Sequence, residues 1–173
     1  GSPTFRMKVY DLNGGESMVA TKTVTVNNVA PTASFTNAGP VAEGNPVTVS
    51  FSAQFDPSPV DTAAGFHYAY ACDGGSLAGA TYASSGTNAS IPCTYSDNGT
   101  YTVHGRIIDK DDGYTEYTTD VTVNNVSPTA SLGNDGPVDE NSPAMVSFSG
   151  QFDPSAADTA AGFHYAYACD GGS

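Results

Sequence analysis

The residues best suited to chemistry in this chain are carboxylates gathered at turns. Asp109, Asp111 and Asp112 crowd one short run, Asp109-Lys110-Asp111-Asp112-Gly113. Several oxygen donors on a flexible loop are what Ca2+ prefers, although an EF-hand loop would run longer and end in a glutamate. Asp56 and Asp61 flank a second acidic loop, Asp56-Pro57-Ser58-Pro59-Val60-Asp61. Aspartate is also a favoured turn residue, so solvated turn acids are the competing reading.

Catalysis has thinner material. His67 and His104 fall on the outer faces of different strand patterns, and neither has a Ser or Cys nucleophile arranged with it. Asp56, Asp73 and Asp109 could pair for glycoside hydrolysis, but so small a unit has nothing to enclose a sugar, and no enzymatic activity is expected. Tyr82, Tyr114 and Tyr117 could stack on sugar or peptide, with core or hairpin packing as the competing reading. Asn88, Asn98 and Asn125 open glycosylation sequons.

The elements that must position these groups are strands. The chain has 173 residues, 19 of them Gly and 11 Pro, with Ser and Thr abundant, so turn and strand formers outweigh helix formers. Its 18 acidic against 5 basic residues give a formal net charge of -13, which argues against nucleic acid and anionic membrane surfaces as partners. No apolar run approaches the roughly 20 residues of a bilayer-crossing helix, so no membrane insertion is expected. The composition predicts an all-β chain.

Internal self-similarity organises the sequence. Val24-Thr25-Val26-Asn27-Asn28-Val29 recurs from Val121 to Val126, and Gln54-Phe55-Asp56-Pro57-Ser58 recurs from Gln151 to Ser155, both 97 positions on. Residues 61–76 are repeated identically at 158–173. Thr4 to Asp11 matches Thr102 to Asp109 with one extra position of offset. The register divides the chain into 1–29, the C-terminal part of a preceding repeat; 30–126, a complete repeat; and 127–173, the N-terminal half of the next. A window on a longer tandem polypeptide is expected.

The repeat also explains the three cysteines, because Cys169 is the copy of Cys72. A Cys72–Cys93 disulfide is predicted in the complete unit, against two buried free thiols as the alternative. Such a bridge places the protein in an oxidising, extracellular or cell-surface setting.

About seven short strands follow from period-two alternation. Val47, Val49 and Phe51 share one face, as do Phe66, Tyr68, Tyr70 and Cys72, the second set predicting the central strand. Ala89, Ile91, Cys93 and Tyr95 form another set, and Tyr117, Thr119, Val121 and Val123 close the unit. Asp97-Asn98-Gly99-Thr100-Tyr101 reads as a tyrosine corner feeding a strand with Val103, Gly105 and Ile107 on one face and Thr102, His104 and Arg106 on the other.

The order Tyr68-x-Tyr70-x-Cys72-Asp73-Gly74-Gly75, Tyr95-x-x-x-Gly99-x-Tyr101-x-Val103, Asp109-x-x-Asp112-Gly113 and Val121-x-Val123 resembles a PKD (polycystic kidney disease) domain across the complete unit. The resemblance implies tandem immunoglobulin-like β-sandwiches, found on cell surfaces and beside secreted hydrolases. The family's usual Trp-Asp-Phe-Gly-Asp-Gly run stands here as Tyr70-Ala71-Cys72-Asp73-Gly74-Gly75, without the Trp and one carboxylate. In some similar domains calcium sits near the interdomain linker, and the matching positions are Asn28, Asp56 and Asp61.

The expected function is a structural repeat of an extracellular or cell-surface stalk, fibre or adhesive filament, a rigid spacer of head-to-tail sandwiches. Its partners would be neighbouring repeats and other copies in a filament, with calcium as the candidate ion. The alternative is an accessory module of a secreted hydrolase, binding polysaccharide or a surface protein.

Overall fold

A computed structural model describes residues 2–169, so Gly1 and the closing residues 170–173 of the repeated run lie outside the described residues. The first strands, β1 (Thr4–Met7) and β2 (Ala20–Thr23), form an antiparallel pair. Seven further strands between Thr32 and Asn124 make two sheets. They are β3 (Thr32–Asn37), β4 (Val41–Ala42), β5 (Pro46–Phe55), β6 (His67–Ala71), β7 (Ser90–Thr94), β8 (Gly99–Ile108) and β9 (Tyr114–Asn124). One sheet has the order β3-β5-β7 and the other β4-β9-β8-β6. All pairs are antiparallel except β4 with β9. Last come β10 (Thr129–Asn134) and β11 (Val146–Phe152), another antiparallel pair.

The sheets close face to face as a β-sandwich because each strand buries alternate side chains. Val47 and Val49 from one sheet meet Val103, Val121 and Val123 from the other, with Cys93 and Tyr95 completing that half of the core. The other half is Phe51, Tyr68 and Ile107, with the Phe35 ring stacked on Phe51 at 4.6 Å. The intervening polar positions Thr48, Thr102 and Asp120 are exposed.

Two expectations need correction. The strand carrying Tyr68 and Tyr70 is not central: β6 lies at the sheet edge, paired along its length only with β8. Alternation reports which face is buried, and says nothing of whether both strand edges are paired. On its outer edge Tyr68 meets Gly86 in an isolated bridge, which blunts the strand. In that sheet β8 and β9 are the inner strands, in unbroken register with one another from Gly99↔Val123 to Ile108↔Tyr114.

The second correction is to the reading of residues 56–61 as a loop, for in a mostly β chain two short helices are present, α1 (Pro59–Ala64) and α2 (Ala156–Ala161). Their start signals were in the sequence. Ser58 caps α1 by accepting from the Asp61 amide, Pro59 opens the first turn, and Gly65 follows the last residue at φ 85. Ser155 and Gly162 repeat that pattern around α2.

Two expectations are met. Cys72 and Cys93 are disulfide-bonded, 21 positions apart with Cα atoms 5.8 Å from one another, and tie the end of β6 to β7 in the opposite sheet. Cys169 is free and exposed. The Tyr101 hydroxyl donates to the Asp97 carbonyl at 3.0 Å, the back-bond of a tyrosine corner. The internal repeat extends to strand pairing. Thr129↔Phe152 and Ser131↔Ser149 reproduce Thr32↔Phe55 and Ser34↔Ser52, with the same register shift between them.

Candidate functional site

The densest group of polar side chains forms where the end of β5, helix α1 and the β8–β9 turn converge. Asp56 follows the last residue of β5, Asp61 lies in the first turn of α1, and Asp109 follows β8. All three are buried, and one carboxylate oxygen of each lies within 4.8 Å of the others. The structure thus brings together three of the acids singled out in the sequence.

Backbone amides hold the Asp56 and Asp109 carboxylates, and Lys110 holds that of Asp61. The Asp109 Oδ1 accepts from the Asp111 and Gly113 amides, both at 2.9 Å, and its Oδ2 accepts from Asn28 Nδ2 at 2.7 Å. Asn28 belongs to the segment ahead of β3, so this contact ties that segment to the β8–β9 turn. A side chain at Gly113 would place its Cβ 2.4 Å from both Asn28 Nδ2 and Asp109 Oδ2, which is why glycine stands there. Asp56 Oδ1 accepts from the Ser58 amide at 2.7 Å, while its buried Oδ2 has no hydrogen-bond partner. The Lys110 Nζ lies 2.9 Å from Asp61 Oδ1. Hydrogen bonding to Lys110 and then to Ser58 holds the Asp61 carboxyl below its ordinary range. Asp111 and then Asp61 hold the Lys110 ammonium above its ordinary range. A cavity of about 670 Å³ opens onto the group, lined among others by Asn28, Asp56, Asp61 and Lys110.

Asp111 lines the rim of the same cavity but stands outside the three-acid group, and Asp112 faces elsewhere. Asp111 pairs with Lys110 at the surface, and Asp112 Oδ1 accepts from the Tyr82 amide at 2.8 Å. Asp73 caps its own turn through the Gly75 amide. The all-oxygen set of Asp56, Asp61 and Asp109, with one buried oxygen unpartnered, fits the donor chemistry of Ca2+.

A second acid group was not anticipated. Glu43, Asp153 and Asp158 also bring one carboxylate oxygen each within 4.8 Å of one another. Asp153 and Asp158 are the repeat copies of Asp56 and Asp61, whereas Glu43 comes from the turn after β4. The sequence did carry a signal for it. Glu140 stands 97 positions after Glu43, while the flanking Ala42 and Gly44 become Asp139 and Asn141.

The residues weighed for catalysis or stacking have other attachments. His67 stacks on Tyr82 with ring centroids 3.7 Å apart. Tyr117 sits against Phe51 and its hydroxyl accepts from the Ala33 amide at 2.9 Å. His104 Nδ1 meets Glu116 Oε1 at 3.2 Å, and Arg106, 4 % exposed, bonds Glu116 Oε2 through Nη2 at 2.8 Å. The Arg106 guanidinium also lies 3.9 Å above the ring of Tyr114, which is half exposed.

Arg106 first, and His104 to a lesser degree, holds the Glu116 carboxyl below its ordinary range. A carboxylate lowered in the folded state contributes stability above its unfolded pKa of about 4, lost as pH falls through the folded value. The melting temperature should therefore drop on acidification below about pH 4, and Glu116→Gln should flatten that drop. Parallel melting curves from pH 6 to 3 for the two proteins would show that the pair contributes nothing.

No protein-family model matches the chain, and no curated protein matches it. Among solved structures, one from a study of the promiscuous specificity of carbohydrate-binding modules of the β-sandwich superfamily is similar at 17% identity and a TM-score of 0.42. That similarity covers 70% of this chain and 54% of the other, so the chain spans about half the length of its neighbour.

Proposed function

We propose that the chain is a length of tandem PKD-type, immunoglobulin-like sandwiches, units 1–29, 30–126 and 127–173, that serves as a rigid spacer in an extracellular stalk, fibre or adhesive filament. The observation that carries this reading is the contact between the complete unit and the segment after it. Glu43, whose Oε1 accepts from the Val126 amide of its own unit at 2.7 Å, brings its carboxylate beside those of Asp153 and Asp158. A Cβ built on Gly44 would come within 3.4 Å of Pro154. Units that meet through buried groups beside a short linker resist swivelling. The Cys72–Cys93 bond suits an oxidising exterior. Among the described residues no helix is long and apolar enough to cross a membrane. Calcium held by Asp56, Asp61 and Asp109, with Asn28 orienting the last, would add to the counter-charge that Lys110 supplies there.

Small-angle scattering of the whole chain tests the reading. A single elongated distance distribution is expected, and a broad distribution of a freely jointed chain would overturn it.

One observation favours a second reading, an accessory polysaccharide- or protein-binding module. Tyr114 is 50 % exposed and its ring lies against the Arg106 guanidinium, an exposed aromatic of the kind on which a sugar ring stacks. The solved neighbour's name concerns carbohydrate binding, but a likeness that shallow adds no weight to either reading. Sedimentation with insoluble polysaccharide that is lost in Tyr114→Ala would select this second reading.

A further inference from the structure

We propose that the outer face of the β3-β5-β7 sheet is a lateral docking surface for a second copy of this chain, with Phe55 and its repeat copy Phe152 as the anchors. The proposal rests on the filament reading above and names the face through which its copies would meet. Alternation along Val47, Val49 and Phe51, carried on to position 55, would turn Phe55 into the core. A β-bulge prevents it. The register shifts between Thr32 and Ser34, and Ala53 stands at φ 51, where residues other than glycine are uncommon. One extra residue moves the side chains after it to the opposite faces. Gln54 therefore turns inward, half-buried, its Nε2 donating to the Phe51 carbonyl at 3.2 Å, and Phe55 stands 63 % exposed. The later copy repeats the arrangement with Gly150 at φ 61, Gln151 bonded to the Phe148 carbonyl and Phe152 again 63 % exposed. Around Phe55 all seven strands of its unit are in place, and ahead of Phe152 stands the whole preceding unit. Neither context covers the ring.

The face around the ring suits a copy of itself. Strands β3, β5 and β7 contain no charged residue, although the chain carries a net charge of -13. Across them run rows of hydroxyls, Thr36–Ser50–Ser90 and Ser34–Ser52. The outer face of the other sheet carries Arg106, Glu116 and Asp120 instead. Two acidic chains repel one another as they approach, and least where the facing surfaces are neutral. Hydroxyls both donate and accept, so such a face can satisfy the same face of a partner across a two-fold axis. Phe55 supplies the apolar anchor that hydroxyls lack. The 10 residues of β5 span about 33 Å and three strands about 14 Å, so the face measures roughly 460 Å² per unit. A stable interface takes about 800 Å² from each partner. One unit falls short of that, whereas successive units in register approach it and set both phenylalanines in the contact.

Sedimentation velocity of the full chain over a range of concentrations tests this. A monomer–dimer equilibrium is expected, tightening as NaCl is raised, because salt screens the repulsion between acidic copies. Phe55→Asp/Phe152→Asp should weaken it by at least about tenfold, the size of effect expected of an interface anchor. Thr118→Asp, on the outer face of the other sheet, should leave it unchanged. The substituted positions are all exposed, and melting curves should match the parent; should the aspartates prevent folding, Phe55→Ser/Phe152→Ser carries the test. A chain that stays monomeric at every concentration and salt, or a dimer that the folded Phe variants leave intact, would overturn the proposal. So would sedimentation with insoluble polysaccharide that is lost in the Phe variants, which would give the face to a sugar surface. Scattering at concentrations where the chain is monomeric reads the spacer separately. A chain that pairs yet scatters as freely jointed keeps the lateral contact and rejects the spacer.

Discussion

Gly105→Val is expected to destabilise the sandwich by about 3 kcal/mol, at the upper end for overpacking a core. Gly105 lies buried on β8, facing Phe35 and Phe51 of the other sheet. A Cβ there would stand 2.7 Å from Phe35 Cζ, 2.8 Å from Phe35 Cε2 and 2.9 Å from Phe51 Cζ. Neither ring can retreat, because Phe35 and Phe51 are stacked on each other and Phe51 is braced by Tyr68, Tyr70 and Tyr117. Gly105→Ala should fall between the parent and valine. Urea denaturation of the three proteins measures the series. A valine variant within about 0.5 kcal/mol of the parent, the ordinary range for surface substitutions, would mean that the sheets do not meet there.

Removing the Cys72–Cys93 bond should cost a comparable amount. Closing a loop of 21 positions restricts the unfolded chain by roughly 3 kcal/mol in the entropic account. Cys93 is also 2 % exposed and belongs to the valine half of the core, so a serine there adds the burial of a hydroxyl. Cys72→Ser/Cys93→Ser should therefore unfold at lower urea concentration than the parent, and reductant should bring the parent towards the variant. Cys169→Ser should change nothing, its thiol being exposed and unbridged. Coincident unfolding of parent and double variant would show that the bridge contributes nothing to stability.

Much of this fold was legible because strand patterns and repeats are local signals. The alternation of Val47, Val49 and Phe51 marked the buried face of β5, and the spacing of Asp97 to Tyr101 marked the corner. Cys169 as the copy of Cys72 left one pairing to expect, and that pairing is present. Strand order was not legible, because Tyr68 and Tyr70 report a buried face whether their strand lies at the centre or the edge. Helix α1 was missed although Ser58, Pro59 and Gly65 spelled its ends; the acids at either side drew the reading towards a loop. At the candidate site, Asp56, Asp61 and Asp109 were named as residues, but their convergence depends on tertiary closure of β5 against β8. Glu43 escaped notice because its partners lie more than a hundred positions away, and only comparison with Glu140 singles it out.

The bridge between the sheets has a mechanical corollary. A chain pulled from its two ends extends only along the covalent path that bears load, and the sulfur–sulfur link short-circuits residues 73–92. Roughly 70 Å of backbone, at about 3.4 Å for each of the 21 steps, is thereby withheld even after every strand has separated. A thread of such beads under tension would yield in shorter increments than its residue count implies, and a reducing agent would lengthen each increment.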